Sequence, residues 1–183
     1  IIGGSGLALA GAGLFIFTLV FNFLILNLAG NIGVAAYGVI ANIAYVANAI
    51  YNGLSQGAQP LFSQYYGERS WPKLSHSLRL TFINGFAIAL IMVAITFFWA
   101  DPIVAIFNSH NNAPMQDLAT HGIRLYFTGY LLASINIAAT SYLAATTAAR
   151  WATATSFMRG AGATIPCALL LSYLFGMTGV WLT

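Results

Sequence analysis

Residues 34–66 read VAAYGVIANIAYVANAIYNGLSQGAQPLFSQYY, without one Asp, Glu, Lys or Arg. A segment this long and uncharged predicts a transmembrane helix, since about 20 apolar residues cross the roughly 30 Å hydrocarbon core at a rise of about 1.5 Å each. Within it Tyr45, Asn48, Asn52, Gln56, Gln59 and Ser63 recur every three or four residues, so a helix carries them on one face. An unpaired polar group facing lipid costs several kcal/mol, so this stripe is expected to look into a helix bundle or a watery cavity.

The rest of the chain has the same character. It is 60% hydrophobic and 5% charged, far below the roughly 25% charged residues of a soluble domain, and its mean hydropathy is +0.82. Further uncharged runs extend from Leu80 to Ala100, from Leu125 to Ala149 and from Gly160 to Thr183. Two glycines and an asparagine at Gly30, Asn31 and Gly33 predict a turn that divides the first uncharged run. Gly67 then closes the second helix, and Ser70 with Pro72 predicts an N-cap and first turn for the next. Asp101 and Pro102 are expected to end the third span. A polar connection follows, and Pro114 starts the lead-in to the fourth. The expectation is one all-α, polytopic membrane domain over residues 1–183, with spans near 3–28, 34–66, 72–100, 115–148 and 153–175. Pro60 and Pro166 are candidate kinks, and the Gly53, Gly57 pair and the glycines at positions 4, 6, 11 and 13 predict close helix packing.

Arg69, Lys73 and Arg79 flank one connection and Arg150 and Arg159 another, so both are expected on the cytoplasmic side. That places the N-terminus inside and the C-terminus outside. Ile1 opens directly in apolar residues, with no basic region or cleavage pattern of a secretory signal. The net charge of +3 is scattered beside the spans, which argues for topology and against nucleic-acid binding. Cys167 is the single cysteine, so it has no disulfide partner within the chain and reads as a packing residue.

The candidate binding residues are uncharged. Asn22 shares a face with Thr18, the stripe supplies Asn48, Asn52, Gln56 and Gln59, and the fourth span offers Tyr126, Tyr130, Asn136 and Thr140. The two tyrosines offer an aromatic face to a cation. The same amides and hydroxyls also serve as hydrogen-bonding links between helices, worth about 1 kcal/mol or less each. No carboxylate, imidazole or basic group lies deep within a span, where proton and sodium relays reside. Neither a catalytic triad, a phosphate loop nor a metal-ligand cluster is legible, so no enzyme and no bound cofactor or metal is expected.

The segment Gly53-Leu54-Ser55-Gln56-Gly57-Ala58-Gln59-Pro60, followed by Tyr65-Tyr66-Gly67, resembles the end of the eighth helix in multidrug and toxic compound extrusion (MATE) transporters. Other features agree in order: Val20-Phe21-Asn22-Phe23, Ala35-Ala36-Tyr37-Gly38, Asp101-Pro102 leading to Ile106-Phe107, and Arg159, Pro166, Phe175-Gly176 and Gly179-Val180-Trp181. The resemblance implies one incomplete C-terminal lobe, helices seven to eleven, of a twelve-helix fold built from two lobes. It implies an antiporter in a cell membrane, the cytoplasmic membrane if the source is bacterial. Such a protein expels organic cations, drugs or metabolites by alternating access in exchange for protons or sodium. The partners it implies are the bilayer, an amphiphilic substrate and a missing N-terminal lobe. The sodium-coupled branch carries acidic residues in helices seven and ten. None occurs in residues 7–28 or 125–149, so the coupling ion is expected in the missing lobe. Leu143-Ala144-Ala145-Thr146-Thr147 stands where the family usually carries Gln and Gly. A lipid-linked oligosaccharide flippase of the same superfamily and a non-transporting membrane fragment are the alternatives.

Overall fold

A computed structural model describes residues 2–109, 111–146, 162 and 164–182, with side chains from Thr18 onward. Among these residues the chain is helical throughout: α1 (Ile2–Gly67), α2 (Trp71–Phe98), α3 (Ala100–Phe107), α4 (Ala113–Ala145), α5 (Thr164–Phe175) and α6 (Met177–Trp181). The segments Thr18–Gly67 and Trp71–Phe98 are long and apolar enough to cross a membrane. α4, at 33 residues, is longer than α2 but is diluted by tyrosines, threonines and Asn136.

α1 is not straight. Gly30 sits at φ 60°, ψ −153°, a conformation essentially restricted to glycine, and the chain folds back there. The rings of Phe21 and Tyr37 lie 5.1 Å apart, whereas a straight helix would hold residues at that separation about 24 Å apart. Gly33 is the second half of the device. A Cβ there would lie 2.6 Å from the Ala29 Cβ and 3.0 Å from the Ile25 Cγ2, so only glycine lets the arms approach. The turn expected at Gly30 to Gly33 is therefore a single non-helical residue followed by a close contact, not a loop.

The other helix ends correct the sequence reading in detail. α1 closes with a Schellman arrangement in which the Ser70 amide donates to the Tyr65 carbonyl and the Arg69 amide to the Tyr66 carbonyl. The left-handed residue is Arg69, at φ 54°, and not Gly67. Ser70 precedes α2 without a side-chain cap, and Pro72 occupies the first turn. Asp101 and Pro102 do not end the third span. α2 stops at Phe98, and both residues form the first turn of α3, where a proline lacks no needed donor and a carboxylate meets the positive end of the helix. Asn112 caps α4 by accepting from the Met115 amide at 3.0 Å, with Pro114 in the first turn.

α4 packs against both α1 and α2 and forms the centre of the bundle. Its buried face (Met115, Ala119, Ile123, Phe127, Tyr130) meets Ala36, Val39, Ile40, Ala47 and Tyr51 of α1 and Ala89 of α2. Gly122 admits Trp181 of α6, whose ring would lie 2.8 Å from an added Cβ. A second cluster around Ala58, Phe62 and Leu74 closes the end of α1 against α2 and α4. Gly53 and Gly57 have open space around an added Cβ, so the close packing expected of that pair is not made within the described residues. Cys167 is exposed. Arg150, Arg159, the first part of the span expected at 153–175 and the packing around the glycines at positions 4, 6, 11 and 13 lie outside what the structure describes.

Candidate functional site

The polar stripe of α1 takes its place from the two helices beside it. Next to the buried Tyr51, Leu54 turns toward α2, where its Cδ2 would lie 3.4 Å from a Cβ on Gly85. Ser55 turns the other way, and its hydroxyl lies 2.6 Å from that of Ser141 on α4. One turn before Asn48, the Tyr130 hydroxyl of α4 donates to the Ala44 carbonyl of α1 at 3.4 Å. At about 100° per residue, Asn52 and Gln56 continue round α1 past the α4 side, while Ile50 and Leu61 occupy the α2 side. α4 mirrors this. Ile135 turns toward α2, and Asn136 and Thr140 lie on the opposite side of Tyr130. The two polar sets therefore border one crevice between α1 and α4, on the side away from α2.

Within the crevice the residues have different duties. Asn52 and Gln56 are exposed and bond to no protein group among the described residues, and Tyr45 is 73% exposed beside them. Gln59 donates to the Ser55 hydroxyl of its own helix at 3.3 Å, while Ser63 donates to the Ala145 carbonyl of α4 at 3.3 Å and ties the two helices together at this end of the stripe. Asn136 accepts from Thr140 at 3.2 Å. Tyr126 is half-buried, with its ring 6.0 Å from that of Tyr130.

Tyr130 differs from the expectation. It is only 6% exposed, and its ring stacks on Phe127 at 5.1 Å and on Tyr51 at 5.7 Å. Packed between these rings and buried, Tyr130 lies beneath the crevice, and its hydroxyl is taken up by the Ala44 carbonyl. Asn22 stands apart from the other seven residues, on the first arm of α1, where its amide donates to the Thr18 carbonyl at 2.8 Å.

Three residues that the stripe pattern did not single out hold the crevice in shape. Tyr51 donates to the Gly85 carbonyl at 3.0 Å from a fully buried position, Ser141 clasps Ser55, and Tyr37 stacks against Trp181 at 6.5 Å. Tyr51 and Ser55 follow Asn48 and Asn52 by three residues each, on the flank of the stripe nearer the core. That offset was the available signal.

A bundle of apolar helices bordering an uncharged polar crevice defines the class, an all-α bundle of membrane type. Comparison with known proteins then names the family. Residues 7–174 match the MatE family model, and the chain belongs to that family. The multidrug export protein MepA of Staphylococcus saprophyticus is 27% identical over 161 residues, covering 86% of this chain and 35% of that protein. The structure of a MATE in complex with MaL6 superimposes with a TM-score of 0.88 at 17% identity, covering 98% of this chain and 40% of that one. An outward-facing multidrug resistance MATE transporter of the MOP superfamily gives a TM-score of 0.87 at 19% identity, over 97% and 40%. The fold is that of a MATE lobe, and the chain spans about a third of the length of the curated relatives it matches.

Proposed function

We propose that this chain forms part of a transporter that exports small amphiphilic or cationic organic molecules, with the α1–α4 crevice as one wall of the substrate path. The observation that carries the reading is the pair Asn52 and Gln56, amides held on an exposed face of an apolar helix with no protein partner among the described residues. Desolvated amides without partners are costly, so their position is best served by water or a bound solute. Asn48, Gln59 and Asn136 border the same crevice, and Tyr126 supplies an aromatic surface for a cation. Tyr130, buried and bonded to the Ala44 carbonyl, supports the crevice wall from beneath and does not itself contact substrate. The multidrug export named for the MepA relative supports the same class of cargo.

Export is driven by exchange for protons or sodium. The described spans place no carboxylate in the crevice: Asp101 pairs with Arg124 at 3.3 Å at the start of α3, and Asp117 lies in the opening turns of α4. The coupling group is accordingly assigned to the rest of a longer protein. The connection between α1 and α2, with Arg69, Lys73 and Arg79, faces the cytoplasm.

The test uses a full-length protein containing this chain. Replacing Asn52 and Gln56 together by Ala is expected to lower efflux of a fluorescent organic cation at least several-fold at unchanged membrane abundance. Unchanged efflux reduces the stripe to packing.

A further inference from the structure

On the opposite side of the bundle, Phe82, Ile83, Phe86, Ala87 and Leu90 of α2 form with Ile135 of α4 a shallow groove of about 420 Å³. Its walls are large, exposed hydrophobic side chains: Ile83, Phe86, Leu90 and Ile135 are each between 44% and 53% exposed. The groove has a direction, because Phe82, Phe86 and Leu90 follow one helical row, and continuing that row toward the start of α2 brings Arg79 and then Ser75. Both are exposed, and His76 is exposed beside them. Lys73, one turn earlier, is drawn toward α1, with its ammonium 5.9 Å from the Tyr65 ring centre. The nearest acid in sequence, Glu68, lies back in the α1–α2 turn and accepts from Gln64 at 2.8 Å.

We infer that this groove holds one anionic phospholipid of the surrounding bilayer, with an acyl chain along Phe82, Phe86 and Leu90 and its phosphate at Arg79, Ser75 and His76. The dimensions fit. From Arg79 to Leu90 the helix rises about 16 Å, and one leaflet contributes about 15 Å of hydrocarbon. Arginine presents a fork of donors that matches phosphate oxygens, and Ser75 adds a hydroxyl one turn above it. The other cation near this end of the bundle, Lys73, is engaged with Tyr65 of α1, which leaves Arg79 as the cation at the head of the groove among the described residues. The site is independent of the export reading, because it lies on the side of α4 away from the polar crevice.

The experiment reconstitutes the full-length protein into vesicles of phosphatidylcholine with one-fifth phosphatidylglycerol and measures retained lipid by native mass spectrometry. Phosphatidylglycerol is expected to be enriched several-fold over its share of the vesicle. In Arg79→Gln the enrichment is expected to fall to the vesicle ratio, and in Ala87→Trp, which fills the groove, the retained lipid itself is expected to be lost. A photoreactive benzophenone residue in place of Phe86 is expected to attach to phospholipid. Absence of enrichment, enrichment unchanged in Arg79→Gln, or attachment at position 86 to the protein's own helices would each overturn the site. Efflux measured on the same variants separates this result from the export reading.

Discussion

Replacing Gly30 by Ala tests the feature that turns one 66-residue helical run into two packed arms. At φ 60°, ψ −153° a β-carbon is forced against the backbone, and such conformations cost about 1–3 kcal/mol for residues other than glycine. The added Cβ would meet no neighbour within 4 Å, so the whole effect is conformational and no new contact offsets it. Gly38 is the matched control. It lies in the second arm, a Cβ there also has open space, and its φ is not positive. Gly38→Ala is therefore expected to be neutral or to stabilise by up to about 1 kcal/mol through helix propensity. Unfolding in mixed micelles titrated with SDS, followed by circular dichroism, measures both. Gly30→Ala should unfold at lower SDS fraction than the parent and Gly38→Ala at an equal or higher one. Equal stability of Gly30→Ala and the parent would refute the reversal at Gly30.

Four further outcomes follow from packing and capping. Tyr51→Phe removes the buried hydroxyl bond to the Gly85 carbonyl and should cost about 0.6 to 2 kcal/mol in the same titration. Gly122→Leu drives a side chain into Ile40 and Trp181 and should cost about 1–3 kcal/mol or more, with a shift in tryptophan fluorescence. Asn112→Ala deletes the cap on α4 and should cost about 1 kcal/mol, whereas Asn112→Asp should retain most of it. Arg69→Gly relieves a left-handed residue and should gain about 1 kcal/mol, as thermal unfolding in detergent would register.

The helical arrangement was legible because uncharged runs such as 80–100 and 125–149 match the length of a membrane-crossing helix and not the roughly 10-residue alternating segments of a barrel strand. The break at Gly30 was readable from the Gly-Asn-Ile-Gly run, but its form depended on how closely Ile25 and Gly33 approach, which no local pattern records. Asp101 and Pro102 misled for a physical reason. The same two residues that stop one helix are well suited to start another, and the structure uses them for α3. The helical period put Asn48, Asn52, Gln56 and Gln59 on one side of α1. It did not show that Tyr130 is buried, since burial of an α4 residue depends on Tyr51 from α1 and Phe127 of its own helix. The GxxxG pair at Gly53 and Gly57 fits close packing by pattern, yet nothing among the described residues fills the space beside it.

The central claim is that Asn52 faces a solute path and Ile50 faces lipid. A full-length protein with Cys167 replaced by Ala, and single cysteines introduced as Asn52→Cys or Ile50→Cys, allows a direct measurement with a membrane-impermeant thiol reagent. Position 52 is expected to label rapidly, slowed severalfold by a transported organic cation, and position 50 to label little. Equal labelling at the two positions, or labelling at position 52 that no transported cation slows, would contradict that claim.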